Sequence, residues 1–160
     1  MTALKMAGGS IVNQRILIAD SDEVVCYGLA TILSTAGYTA LVATDGVAVV
    51  EQARRHQPHL VMLDLCLPAG NALELVKTLR RLPGLMQLPV IVFASRDYRM
   101  KATDVFDAGA NVFLPKPFNR QILFSVIGRL LASDKSVRTV NSLPSIDWRP
   151  GQPAPRFLEN

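Results

Sequence analysis

Three residues of this 160-residue chain stand where chemistry could be done: Asp20, Asp64 and Lys116. Each closes a short apolar run. RILIA leads into Asp20, LVML into Asp64, and NVFL into Pro115-Lys116-Pro117. An aspartate between Leu63 and Leu65 is costly, because a buried, unpaired charge is destabilising by several kcal/mol, on the order of a whole fold's margin. Placement at a strand end beside a cation answers that cost. Two carboxylates brought together repel each other, and a hard divalent cation relieves them. Mg²⁺ suits a site with one or two carboxylates, waters and a phosphate oxygen. The main-chain carbonyl of Cys66, two residues past Asp64, offers a third protein oxygen. A lysine beside them neutralises a carboxylate or a phosphoryl group. Such a set suits phosphoryl transfer onto Asp64, with the carboxylate as nucleophile.

The elements that must position these residues alternate along the chain. Apolar runs at 15–20, 39–43, 60–63, 89–93 and 111–114 are each followed by a helix-period segment, at 22–36, 46–56, 72–82, 97–108 and 118–131. In the first helix Val25, Leu29, Ile32, Leu33 and Ala36 repeat at three to four residues; in the last, Ile122, Val126, Ile127 and Leu130 are expected to face inward. Runs of Val, Ile and Leu without polar alternation imply burial on both faces, hence a parallel sheet flanked by helices. Right-handed crossovers leave few topologies. The expected fold is α/β, a five-stranded doubly wound parallel sheet in the order 2-1-3-4-5. In such a sheet ligands sit outside the carboxyl ends of the strands at the switch point, which brings Asp20, Asp64 and Lys116 to one rim. Residues 1–14 are expected as an N-terminal extension and 15–132 as the domain. Residues 133–160 hold four of the ten prolines without periodicity and are expected as a mobile tail.

Other residues carry duller readings. Asp22 either caps the first helix or joins the acid site. His56 and His59 flank Gln57-Pro58 and are expected as exposed loop residues, since no further ligand accompanies them. Cys26, on the first helix, is expected to pack. Two cysteines forty residues apart make no framework or metal spacing, which fits a reduced cytoplasmic protein. Composition is 49% hydrophobic and 19% charged, so a core can be buried. The net charge of +4 is spread without a basic stripe and is weak evidence for nucleic acid; with no helix-turn-helix pattern in the tail, no direct nucleic-acid contact is expected. No stretch approaches the roughly 18 apolar residues of a membrane span.

In this order and spacing the segments ILIADSDE, ATDG, PHLVMLDLCLP, PVIVFAS and DAGANVFLPKPF resemble the receiver domain of bacterial two-component response regulators, as an atypical member. The resemblance implies that Asp64 accepts a phosphoryl group from a histidine kinase or phosphotransfer protein. It implies Mg²⁺ held by Asp20, Asp64 and the Cys66 carbonyl, and a phosphoryl contact from Lys116. Phe113 matches the switch aromatic. The surface of the fourth helix, fifth strand and fifth helix is implied for a homodimer or for output to a downstream protein.

Three positions depart from the family pattern. Ser21 stands where a second acid is expected, with Asp22 one step along. Ala94 stands where a Thr or Ser normally binds the phosphoryl oxygen; Ser95 is displaced by one. Ala72 replaces a usual glycine, with Gly70 earlier. A charged hydrogen bond lost at Ala94 removes roughly 1.5–3 kcal/mol of preference for the switched state. Against the phosphoacceptor reading, which calls for a self-modifying acceptor rather than a turnover enzyme, stands a pseudo-receiver: the same fold as a phosphorylation-independent binding or dimerisation module. A flavin-binding redox carrier is a third reading. The acidic loop Asp20-Ser21-Asp22-Glu23 speaks against it, because it repels a flavin phosphate.

Overall fold

The computed structural model describes residues 13–95 and 101–132. Five strands and five helices alternate: β1 (Arg15–Ala19), α1 (Glu23–Thr35), β2 (Thr39–Ala43), α2 (Gly46–His56), β3 (Leu60–Asp64), α3 (Ala72–Arg81), β4 (Val90–Ala94), α4 (Ala102–Asp107), β5 (Val112–Pro115) and α5 (Arg120–Ala132). The sheet order is β2-β1-β3-β4-β5, with every pair parallel, as the apolar runs imply. The expected tail at 133–160, most of the extension at 1–14 and the first residues of the expected fourth helix lie outside the described residues.

Strand side chains alternate between two cores. Leu17, Ala19, Val61, Leu63, Val90, Val92, Ala94 and Phe113 face the layer of α2, α3 and α4, where Val49, Ala53, Val76, Leu79 and Val105 are buried. Ile16, Ile18, Leu60, Met62, Ile91, Phe93, Val112 and Leu114 face α1 and α5, through Cys26, Leu29, Leu33, Leu123 and Ile127. Three helix starts have a local cause. Asp22, Asp45 and Asn71 accept main-chain N–H bonds at the first turns of α1, α2 and α3.

Three expectations need correction. Burial on both faces is incomplete in β2, where Ala43 alone is buried and Leu41 and Ala40 pack only partly buried against the two cores. On α1 the buried stripe runs through Cys26, Leu29 and Leu33, with Val25 packed against it and Ile32 and Ala36 only half-buried; on α5 Ile122, Val126 and Leu130 pack partly buried beside Leu123 and Ile127, facing inward as expected. Periodicity located each stripe to within a residue, and docking on the sheet chose its centre. Finally, His56 and His59 are not exposed loop residues. His56 ends α2, and both are half-buried. The His59 Nδ1 accepts the main-chain N–H of Arg15 at 3.0 Å, tying the start of β1 to the residue before β3.

Candidate phosphoacceptor site

Asp20 lies one residue beyond β1, Asp64 ends β3 and Lys116 lies one residue beyond β5. By strand parity all three continue the rows of Ile18, Met62 and Leu114, on the α1/α5 side of the sheet. Side chains alternate strictly along a strand, so three same-parity residues at three carboxyl ends converge. Asp20 is 2% exposed and Asp64 4% exposed. The Lys116 ammonium lies between them, 2.7 Å from Asp20 Oδ2 and 3.1 Å from Asp64 Oδ1. It also sits 4.8 Å from the centroid of the Phe93 ring, whose face adds attraction for the cation.

The remaining carboxylate oxygens are held by main chain. Asp20 Oδ1 accepts the N–H of Asp22 at 2.9 Å, and Asp64 Oδ2 accepts the N–H of Cys66 at 3.2 Å. Among the described residues no buried side-chain N or O lacks a partner. Burial pushes the Asp64 carboxyl above its usual range, and the hydrogen bond and charge of Lys116 only partly offset this. Burial acts to lower the Lys116 ammonium, but hydrogen bonds and attraction from Asp20 and Asp64 outweigh it and leave Lys116 raised.

The donor set fits Mg²⁺. Two buried carboxylates against one ammonium leave one uncompensated negative charge, and every donor is a hard oxygen. Among the described residues no three side chains of His, Cys, Asp and Glu gather where they could hold a metal. A cation here therefore relies on main-chain oxygen and water beside Asp20 and Asp64. Asp22 is committed elsewhere: its Oδ1 accepts from Val24 N–H at 2.9 Å and from Val25 N–H at 3.4 Å, as the cap of α1. Of its two readings the cap holds. Ser21 is exposed. Cys26 packs in the core and donates its thiol to the Asp20 carbonyl at 3.3 Å; Cys66 is exposed.

Ala94 ends β4, buried, on the opposite side of the sheet from Lys116 by parity. Its carbonyl accepts the Lys116 N–H at 2.7 Å, while its side chain presents no hydroxyl. Phe113 is 7% exposed and packs in the same cluster as Ala94, Val92 and Val105. A separate surface groove of about 780 Å³ runs between α2 and α3, lined by Val47, Val50, Arg54, Ala69 and Leu75 among others. It contains none of the three charged residues. Charge concentrated at the strand ends, rather than open volume, marks the candidate site. Sequence reasoning took Gly46 only as part of the segment ATDG and the start of the second helix, not as a contact of the loop after Asp64. Its signal was the Asp45-Gly46 pair opening α2.

A five-stranded doubly wound sheet with two buried carboxylates and a lysine at its switch point defines a class of flavodoxin-like α/β proteins that concentrate charge at the strand ends. Comparison with known families is specific within it. The sequence profile of the response regulator receiver domain matches residues 16–128, and the chain belongs to that family. It is 36% identical to the response regulator MprA of Mycobacterium leprae over 121 residues, 76% of this chain and 52% of that protein. With MprA of Mycobacterium sp. (strain KMS) it shares 34% over 145 residues, 91% of this chain and 58% of that one. The chain thus spans about half the length of the curated relatives it matches. A crystal structure described as a response regulator from Chloroflexus aurantiacus J-10-fl superposes with a TM-score of 0.71 at 30% identity, covering 76% of this chain and 99% of that one. The chemotaxis response regulator CheY4 of Vibrio cholerae gives a TM-score of 0.69 at 23% identity, covering 75% and 100%, a likeness of fold. This family membership displaces the flavin-carrier reading.

Proposed function

We propose that this chain accepts a phosphoryl group at Asp64 from a histidine kinase or phosphotransfer protein, and signals through contact with a downstream protein. The observation that carries this reading is Lys116 held between two buried carboxylates at the switch point. A carboxylate oxygen of Asp64 forms the new P–O bond. The P–N bond of the donor phosphohistidine breaks, and its electron pair stays with the imidazole. Lys116, already within 3.1 Å of Asp64, supplies fixed positive charge toward the transferred group. Asp20 holds Lys116 in place. Mg²⁺, when bound, would be held by Asp20, Asp64 and the Cys66 carbonyl and would add positive charge against the phosphoryl oxygens. The chain is then a self-modifying acceptor rather than a turnover enzyme. Homodimerisation through α4, β5 and α5 is one form its output takes. Cytoplasmic action fits the two free cysteines; no helix among the described residues is long and apolar enough to cross a membrane.

The test is phosphorylation by a small-molecule phosphodonor with and without Mg²⁺, read by intact mass. A Mg²⁺-dependent adduct, absent in Asp64→Asn, supports the reading. No adduct on the native chain, under conditions that label an ordinary receiver, overturns it.

A second reading has its own support. Ser21 carries no carboxylate, Asp22 is occupied as a cap, and Ala94 carries no hydroxyl. A receiver short of an acid and a switch hydroxyl fits a phosphorylation-independent binding or dimerisation module. Partner binding indifferent to Asp64→Asn and to phosphodonor favours it.

A further inference from the structure

The loop between β3 and α3 leaves the acid site immediately after Asp64. It is held at three points. Leu65 donates its N–H to the Phe93 carbonyl at 2.9 Å, Cys66 donates to Asp64 Oδ2 at 3.2 Å, and the Pro68 carbonyl accepts the N–H of Gly46 at 3.1 Å. Leu65 and Leu67 are buried between these points. Ala69 then takes a left-handed backbone, with φ of 56°, which a residue bearing a Cβ adopts only when its surroundings impose it. The third hold comes from the first residue of α2, twenty-two positions before Pro68 in sequence. Gly46 is buried, and a Cβ placed on it would lie 2.8 Å from the Ala69 carbonyl oxygen and 3.6 Å from the Gly70 Cα. Both neighbours are main chain, so no side-chain rotation relieves the clash. The hydrogen bond to Pro68 and the contact with Ala69 therefore need glycine at 46.

We propose that Gly46 is a positioning residue for the phosphoacceptor site: by admitting the 68–70 main chain against the first turn of α2, it fixes the loop that carries the Cys66 carbonyl. The inference rests on the reading of Asp64 as phosphoacceptor and adds a residue from outside the charged set. Its physical content is preorganisation. A carbonyl already aimed costs less to bring onto a cation than one on a loose loop, and disturbing groups that orient a ligand typically weakens metal binding by about 10–100-fold.

The test compares Gly46→Ala with Gly128→Ala, where an added methyl meets nothing within 4 Å. Amide hydrogen exchange across residues 65–70 and calorimetric Mg²⁺ titration are measured on folded protein. Gly46→Ala is expected to speed exchange in that loop and weaken Mg²⁺ by about tenfold, while Gly128→Ala leaves both at the native value. Native-like exchange and affinity in Gly46→Ala overturn the proposal. If Gly46→Ala does not fold, exchange of the Gly46 amide in the native chain carries the test: protection of that N–H supports its hold on the Pro68 carbonyl, and exchange at the rate of an open peptide overturns the proposal. Failure of the native chain to bind Mg²⁺ or form an adduct overturns both the phosphoacceptor reading and this inference. Native metal binding and labelling with a Gly46→Ala variant that matches it overturns this inference alone.

Discussion

Lys116 Nζ lies 2.7 Å from Asp20 Oδ2, although the two residues stand 96 positions apart. The same ammonium reaches Asp64 at 3.1 Å. One cation thus reconciles two buried carboxylates with a low-dielectric edge of the sheet, and the consequences are measurable.

Lys116→Met is expected to destabilise the domain by about 3 kcal/mol at neutral pH, the usual result of stripping a buried ion pair of one partner. Because Lys116 is raised in the folded state, its contribution is complete below the ordinary lysine value of 10.5 and is lost as pH climbs through the higher folded value. The variant, with two carboxylates facing each other, recovers part of its deficit as pH falls and the raised Asp64 carboxyl protonates. Urea unfolding of both proteins at pH 5, 7 and 9 checks this; a deficit constant across that range contradicts it.

Asp64→Asn should abolish the phosphoryl adduct while keeping stability within about 1 kcal/mol of the native protein at pH 7. Burial raises this carboxyl, so the folded state disfavours its ionised form. The native chain therefore loses stability as pH rises through the range between the unfolded value of 3.8 and the higher folded one, and the neutral amide has no such term. Mass measurement with denaturation curves at pH 3.5 and 7 provides the check. A large loss of stability at pH 7 would speak for a favourable buried charge.

Asp22→Ala separates capping from metal binding. It should cost about 1 kcal/mol of stability, the usual value of a helix N-cap, and leave Mg²⁺ affinity nearly unchanged. Ser21→Asp should instead raise Mg²⁺ affinity by adding a carboxylate beside Asp20. Thermal denaturation and metal titration on the two variants distinguish them; a fall in affinity with Asp22→Ala would restore Asp22 to the metal site.

Ala94→Thr returns a hydroxyl to the end of β4. Overpacking a buried position costs about 1 kcal/mol or more in the resting state. A charge-assisted bond to the phosphoryl group contributes roughly 1.5–3 kcal/mol, about tenfold to more than a hundredfold in the switched population. The expected outcome is a phosphorylation-dependent gain in self-association or partner binding exceeding that of the native chain. An identical response in both removes position 94 from the switch.

Much of this was legible in the residues. Uninterrupted Val, Ile and Leu runs alternating with helix periods dictated a parallel sheet, and acids following two of those runs located the rim. Those inferences work because side-chain alternation, helix period and capping are rules among neighbours a few positions apart. The misjudged residues were those whose surroundings come from afar. His59 reads as an exposed residue until β1 supplies the Arg15 N–H.

Residue type and spacing alone thus determined the element order, the doubly wound topology and the three charged residues of the rim. Tertiary structure decided that Lys116 bridges both acids, that Phe113 lies packed with Ala94, and that Gly46 admits the loop beyond Asp64. Each depends on crossover handedness and strand register, which set ångström-scale distances between residues tens of positions apart, and no local pattern encodes those distances.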